Sequence, residues 1–309
     1  MIVSRFAPAP TGLLHLGHIV NALHVWGITR AAGGRVLLRI EDHDRQRSRP
    51  EYEQAILDDL DWLGFVPDEP STADFRAGCC RGRQRDRQDV YERALERLRS
   101  RGLIYVCECT RRELRAAMNG SVPDCDAELR YSGRCADRNL DWRAGRASRV
   151  RLPASTERFV DLRHGQQEQR PFEQCGDMPV KDRDGNWTYQ FAVTVDDMEQ
   201  GVNLVIRGDD LLPSTGRQIQ LARMLDRTEP PRFLHHALIM KSATQKLSKA
   251  DRDTSVSDMR AAGATAEDVI GRAAHAAGFT TRSGALARPE AEAMVVDRYP
   301  EAIEIITNR

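Results

Sequence analysis

No stretch of eighteen apolar residues occurs in this 309-residue chain, which removes a membrane-spanning helix from consideration. The N-terminus, Met1-Ile2-Val3-Ser4-Arg5-Phe6, lacks the charged segment followed by an apolar one that marks a secretion signal, so a cytoplasmic protein with no membrane partner is expected. Net charge is missing as well. Lys+Arg and Asp+Glu number 46 each, and no global field argues for a nucleic-acid partner. The local runs Arg81-Gly82-Arg83-Gln84-Arg85 and Arg97-Leu98-Arg99-Ser100-Arg101 read as solvated faces. Seven cysteines are an odd number, unevenly placed, and imply no disulfide framework; they read as metal ligands or as buried thiols. There is no internal repeat and no low-complexity tract. With 40% hydrophobic and 30% charged residues, the composition is that of a soluble globular protein of one large domain or two ordinary ones.

What is present begins with a nucleotide-binding pattern. Ile2 to Phe6 alternates as a short strand does, and Ala7-Pro8-Ala9-Pro10-Thr11-Gly12 breaks it. From Gly17 a helical pattern runs through Ile19, Val20, Leu23 and Trp26 to the Gly33-Gly34 pair, and Val36 to Ile40 is a second strand. Strand, helix and strand in this order make a βαβ unit, whose parallel pairing predicts an α/β sheet. Ser48 reads as the N-cap of a helix that buries Ile56, Leu57, Leu60 and Leu63 and stops at Gly64. A further helix is expected from Gln84 to Arg101, with Val90, Ala94, Leu95 and Leu98 inward and Gly102 after it. A cysteine-containing, turn-rich segment then interrupts the pattern to about Arg138. Strands are expected over 149–160, 187–195 and 202–206, with a turn at Asp184-Gly185, a helix over 215–225 and small helices between Thr265 and Ile306.

The most informative segment is Arg5-Phe6-Ala7-Pro8-Ala9-Pro10-Thr11-Gly12-Leu13-Leu14-His15-Leu16-Gly17-His18, between the first strand and the first helix. Histidines at a helix N-terminus set N–H donors beside the positive end of the dipole, where triphosphate charge can be stabilised, and Gly17 permits close backbone approach to a nucleotide. The segment resembles the HIGH signature of class I aminoacyl-tRNA synthetases. Lys246-Leu247-Ser248-Lys249, more than 200 residues later, resembles the KMSKS loop of the same enzymes. Two lysines on a loop there would neutralise departing pyrophosphate.

Arg39-Ile40-Glu41-Asp42-His43-Asp44, Thr188 to Asp197 and Val205-Ile206-Arg207-Gly208-Asp209-Asp210 are similar to motifs of the glutamyl subgroup. A substrate with two carboxylates and one ammonium calls for cationic clamps and an anionic partner. Arg5 and Arg207 are the carboxylate clamps, Glu41 the partner of the ammonium, and Tyr189 a hydroxyl donor. With the neighbouring Phe6, Ala7, Pro8 and Ala9 they form the expected glutamate site. His15, Gly17, His18 and Lys249 form the expected ATP site, and His15, His18, Lys246 and Lys249 carry the catalysis.

Cys107-Glu108-Cys109 followed by Tyr131-Ser132-Gly133-Arg134-Cys135 has donors for a tetrahedral zinc site. Zinc chemistry alone favours Cys125 as fourth ligand. The Tyr131-to-Cys135 spacing resembles instead the zinc knuckle of the glutamyl-queuosine tRNA(Asp) synthetases, a short group of relatives of glutamyl-tRNA synthetase, which implies Cys107, Cys109, Tyr131 and Cys135. Cys79, Cys80 and Cys175 are read as structural.

The resemblance spans about residues 4–250 and implies an α/β fold: a class I Rossmann-like parallel sheet, an inserted zinc-bearing, acceptor-binding-like subdomain and a short helical C-terminal segment. The expected divisions are a first catalytic half over 1–102, the zinc insertion over 103–180, a second catalytic half with the lysine loop over 181–250, and the helical segment over 251–309. It further implies a monomeric ligase that uses ATP with magnesium, L-glutamate and a tRNA. Only sixty residues follow Lys249, too few for the anticodon-binding portion of a full glutamyl enzyme, and queuosine-containing tRNA(Asp) is therefore the expected acceptor. Ala9 departs from the usual serine, leaving a backbone amide in place of a hydroxyl. Val193, where full-length glutamyl enzymes tend to carry asparagine, agrees with the short group.

Overall fold

A computed structural model describes residues 1–78, 81–116, 130–239 and 254–308. Strand β1 (Val3–Phe6), helix α1 (Leu16–Ala31) and strand β2 (Arg35–Leu38) form the βαβ unit, with β1 and β2 parallel and Val3 opposite Arg35. Gly33 turns the chain out of α1 with φ +66, and at Gly34 a Cβ would lie 2.8 Å from the Ile2 carbonyl oxygen, so only glycine lets the crossover return against β1. Helix α1 is apolar on nearly every face and buries Ile19, Val20, Leu23, Val25, Trp26 and Ile28. A helix of that kind must be covered all round.

Helix α2 (Pro50–Leu63) buries the four expected residues and ends at Gly64 in the left-handed conformation. Its N-cap position is held by Arg49 rather than Ser48, because Pro50 occupies the first turn, and no side chain caps it. Helix α3 (Thr72–Ala77) precedes a short 3-10 turn at Gln84–Arg87, which runs into α4 (Gln88–Ser100). Of the first arginine run, Arg83 is not solvated: it is buried, with bonds to Glu53 Oε1 at 2.6 and 2.8 Å.

Three strands of the middle segment, β3 (Ile104–Cys107), β4 (Ala147–Val150) and β7 (Met178–Lys181), make a separate antiparallel sheet, with α5 (Arg111–Ala116) after β3 and α6 (Pro171–Cys175) before β7. The hairpin of β5 (Glu157–Asp161) and β6 (Gly165–Gln169), although within 103–180, pairs elsewhere: Asp161 lies parallel opposite Phe233 of β9 (Arg232–His236), which in turn pairs parallel with β8 (Leu204–Gly208). Strand β8 lies beside β1, where the Asn203 amide donates to the Val3 carbonyl at 3.0 Å.

The expected strand over 187–195 is wrong. Tyr189–Glu199 is a helix, α7, and Trp187 alone bridges Lys181 across the Asp184-Gly185 turn. Its Thr and Val residues favour strands locally, but Phe191, Ala192 and Val195 bury one helical face with Tyr91 and Leu95 of α4, and burial overrides propensity. Helix α8 (Thr215–Met224) follows a 3-10 turn at Asp209–Ser214. The last helices are α9 (Val256–Ala261), α10 (Ala266–Ala276), α11 (Arg288–Arg298) and α12 (Pro300–Thr307). They are not an appendage: Val269, Ile270, Ala291, Val295 and Ile306 share one core with α1, α2 and the parallel strands. At Gly27 of α1 a Cβ would come within 3.0 Å of the Glu292 carbonyl oxygen in α11. Among the described residues no helix is long and apolar enough to cross a membrane.

Candidate active site

The loop after β1 is tied down at two points. The Pro8 carbonyl accepts from the Glu41 amide at 3.0 Å, and the Leu14 carbonyl accepts from Val256 at 2.8 Å. His15 caps α1. Its Nδ1 accepts from the Gly17 amide at 3.1 Å, and His18 Nδ1 accepts from the His15 amide at 3.1 Å. A ring nitrogen that accepts from a backbone N–H carries no proton, so each ring, when neutral, carries its proton at Nε2. The rings lie 3.9 Å apart at the positive end of α1. Gly17 has an additional reason within the chain: a Cβ there would meet His15 Cε1 at 2.9 Å.

A second group of residues surrounds Tyr189, the first residue of α7. Burial, and next the Glu41 carboxylate, push its phenol up to about 12, while Arg207 and Arg5 oppose this. Burial raises Glu41 above the ordinary carboxylate range against the pull of Arg39. Asp197 is buried too, yet Arg5 and then Arg39 outweigh that and hold it low. Arg5 donates through Nε to Asp197 Oδ1 at 3.1 Å and through Nη1 to the Ile206 carbonyl at 3.3 Å. Arg207 is held by Gln218, Thr215 and His235 at 2.8, 2.9 and 3.0 Å; burial lowers its pKa.

Four of the residues singled out from sequence, Arg5, Glu41, Tyr189 and Arg207, therefore come together. Phe6 does not line the space with its side chain. Its ring is in the core, 5.4 Å from Trp26, because strand residues alternate faces and this one faces α1. Its carbonyl is taken by the Arg39 amide. Pro8 has no N–H to offer. Lys246, Lys249 and Cys125 lie outside the described residues, as do Cys79 and Cys80.

Sequence reasoning missed Arg39 and Asp197. The Arg39 guanidinium has no exposure and meets Asp197 at 2.8 Å, Glu41 at 3.1 Å and Asp196 at 3.7 Å, with Gln200 at 2.8 Å. Asp196 in turn accepts from Gln84, Arg87 and Tyr91. A buried network of this kind is costly to break by removing one partner. Here it sets the relative position of the segment after β2, which carries Glu41, and α7, which carries Tyr189.

The cysteines of the middle segment also converge. The sulfurs of Cys107, Cys109 and Cys135 all lie within 4.8 Å of one another, those of Cys109 and Cys135 at 3.6 Å, and the Tyr131 hydroxyl is 3.6 Å from Cys107 Sγ. With a zinc–sulfur bond of about 2.3 Å, tetrahedral ligands stand roughly 3.8 Å apart. The donor set fits a metal of that kind. Burial and then the bond to Cys135 push Cys109 up to about 12. Burial raises Cys135 too, but the Glu108 amide and the Tyr131 hydroxyl bring it down to about 7. Tyr131 lies under the Arg149 guanidinium at 3.7 Å, and its carbonyl would be 2.1 Å from a Cβ at Gly176. Glycine there lets β7 close on the knuckle.

The fold and these motifs are those of a known family. A family model described as tRNA synthetases class I (E and Q), catalytic domain, matches residues 1–285, and the chain belongs to that family. Within it, the chain is similar to the Glutamyl-Q tRNA(Asp) synthetase of Rhodobacter capsulatus, 39% identical over 286 residues that cover 87% of this chain and 98% of the relative. It is similar also to that of Nitratidesulfovibrio vulgaris, 38% identical over 287 residues that cover 90% and 87%. A crystal structure of a glutamate tRNA ligase from Elizabethkingia meningosepticum in complex with its amino acid superposes with a TM-score of 0.74 at 27% identity. The match covers 94% of this chain and 64% of that one, so the chain spans less than two thirds of that protein's length.

Proposed function

We propose that this protein activates L-glutamate with ATP and transfers it to queuosine in the anticodon of tRNA(Asp). In the first step a carboxylate oxygen of glutamate attacks the α-phosphorus, the bond to the β-phosphate oxygen breaks, and pyrophosphate leaves; magnesium, entering with ATP, would offset phosphate charge. In the second, a cyclopentene-diol hydroxyl of queuosine attacks the acyl carbon, loses its proton, and AMP departs. No protein nucleophile is needed, since binding geometry and charge stabilisation carry both steps.

The single observation behind this reading is the buried network that gathers these groups: Arg39 joins Glu41 at 3.1 Å to Asp197 at 2.8 Å, Asp197 takes Arg5 Nε at 3.1 Å, and Arg5 Nη1 reaches the Ile206 carbonyl beside Arg207, which sets cations for two carboxylates and an anion for one ammonium at the start of α7. Arg5 keeps its Nη2 for a carboxylate, since its Nε and Nη1 are taken by Asp197 and Ile206. Glu41 pairs with the ammonium. The Nε2–H groups of His15 and His18 meet the phosphates beside the backbone of Gly17, and Lys246 and Lys249 neutralise the departing pyrophosphate. A structural zinc held by Cys107, Cys109, Tyr131 and Cys135 braces the insertion over 103–180, and the protein works as a monomer in the cytoplasm.

The test uses ATP, labelled glutamate and separated tRNAs. Label should enter queuosine-containing tRNA(Asp), persist when the 3′ adenosine is removed, and be absent from the same tRNA without queuosine. Label that requires the terminal adenosine and enters unmodified tRNA(Glu) would show a truncated glutamyl-tRNA synthetase instead.

A further inference from the structure

Behind Arg207 stands a buried pair whose parts lie on neighbouring strands. Asp161, at the end of β5, accepts from the amides of Arg163 at 3.0 Å and His164 at 2.9 Å through Oδ1. Its Oδ2 accepts from the His235 amide at 3.2 Å and from His235 Nδ1 at 2.7 Å. Both side chains have no exposure. A carboxylate with four donors around it stays ionised, and Asp161 is held below its ordinary range although burial pushes the other way. The ring proton therefore sits on Nδ1 of His235, and Nε2 offers a lone pair.

That lone pair accepts from Arg207 Nε at 3.0 Å. Thr215 Oγ1 completes the bracket: it accepts from Arg207 Nη2 at 2.9 Å and lies 3.3 Å from His235 Nε2. Gln218 Oε1 takes Nη1 at 2.8 Å, and the Gln218 amide is itself oriented by Gln190 Oε1 at 2.7 Å. Each nitrogen of the guanidinium thus has an acceptor on its inner side, and the group is locked in plane and in depth. An arginine used only as a structural ion pair would have a carboxylate here. The acceptors bonded to Arg207 are instead neutral, Asp197 acts on it only through space, and Asp161 contributes one bond away through the imidazole.

We propose that Asp161 and His235 are positioning residues that fix the Arg207 guanidinium for a carboxylate of the substrate without placing a carboxylate of the protein on it. This rests on the reading of Arg207 as a glutamate clamp. Neutral acceptors orient the fork without competing for it, whereas a direct carboxylate would take up part of it, as Asp197 does of Arg5. The alternation of charge, Asp161 negative, His235 neutral and Arg207 positive, lets one buried carboxylate orient the site at a distance.

The experiment is glutamate-dependent ATP–pyrophosphate exchange with the full chain, wild type against His235→Ala, His235→Gln and Thr215→Val. His235→Ala should raise the KM for glutamate about ten- to a hundredfold, as loss of a group that orients a ligand-binding side chain does, with the KM for ATP within about threefold. His235→Gln, whose Oε1 can accept from Arg207 Nε, should recover most of that loss. A merely structural histidine would lower the yield of active enzyme without splitting the two KM values. Should His235→Ala fail to fold, Thr215→Val reads the same bracket and must raise the glutamate KM selectively. Equal or unchanged KM values in the variants that fold overturn the proposal. If the wild type shows no exchange with glutamate, the clamp reading itself has failed, which is a different result.

Discussion

The cysteine knuckle allows the most quantitative prediction. Thiols and phenols bind zinc as anions, so binding expels whatever protons they carry at the working pH. At pH 7.5 Cys109, up at about 12, is protonated, and so is Tyr131, which burial and Cys107 raise well above the ordinary phenol value; Cys135, at about 7, is mostly ionised already. Filling the site should therefore release at least two protons per ion, one from Cys109 and one from Tyr131. The bound state holds fewer protons than the free one, so apparent affinity rises with pH, by about two decades per unit below the pKa values of these two groups. The geometry requires sulfur movements of no more than about 1 Å, since pairs now within 4.8 Å must settle near 3.8 Å. Calorimetric titration of the stripped protein with zinc, in buffers of differing ionisation enthalpy at pH 7.5, measures the proton count directly, and elemental analysis of freshly purified protein gives the stoichiometry. Tyr131→Phe should release about one proton fewer and bind more weakly. Absence of zinc, or zinc unchanged in Cys107→Ser with Cys109→Ser, refutes the site; a Tyr131→Phe protein with wild-type affinity and proton release refutes the phenol as a ligand and returns the fourth position to a residue such as Cys125.

Two further outcomes follow from single atoms. Gly17→Ala should depress glutamate-dependent exchange by at least about tenfold without lowering the melting temperature, because alanine usually strengthens a helix by about 0.5–1 kcal/mol while its Cβ, 2.9 Å from His15, displaces the ring; undiminished exchange would remove the orientation of His15 from the mechanism. Asp59 in α2, raised to about 6 by burial and bonded weakly to Ser257 Oγ at 3.3 Å, costs the fold its ionisation. The folded protein binds this proton more tightly than the unfolded chain, so the wild type loses stability as pH rises from about 4 through 6. Asp59→Asn should then be more stable by about 1–3 kcal/mol at pH 7.5 and no more stable at pH 4, as thermal unfolding at the two pH values will show.

Much of the molecule is legible in its local sequence. The βαβ unit, the histidine pair at the start of α1, the stops at Gly64 and Gly102, the helix of residues 215–224 and the small C-terminal helices follow from periodicity, caps and turn residues, which act over a few positions. Donor types with a known ligand geometry were likewise readable at Cys107, Cys109 and Cys135, whereas Tyr131 entered only through the resemblance to the zinc knuckle. The residues from 189 to 195 were not, because β-branched side chains favour a strand on their own and only the face offered by α4 makes them helical.

Partnership between distant charges is what the tertiary structure alone decided. Arg39 and Asp197 are 158 residues apart, Arg5 and Asp197 are 192 apart, and Asp161 and His235 are 74 apart. Nothing in the neighbourhood of any one of them tells whether it will be solvated, paired or left to face a ligand. The sequence by itself determined which side chains could carry charge, donate protons or bind a metal, through their chemistry and their spacing along helix and strand. Which of these charges would be neutralised and which kept for a substrate depended on burial, since removal from water forces every ionised group to find partners in three dimensions, and those partners are chosen by the packing of the strands and helices that carry them.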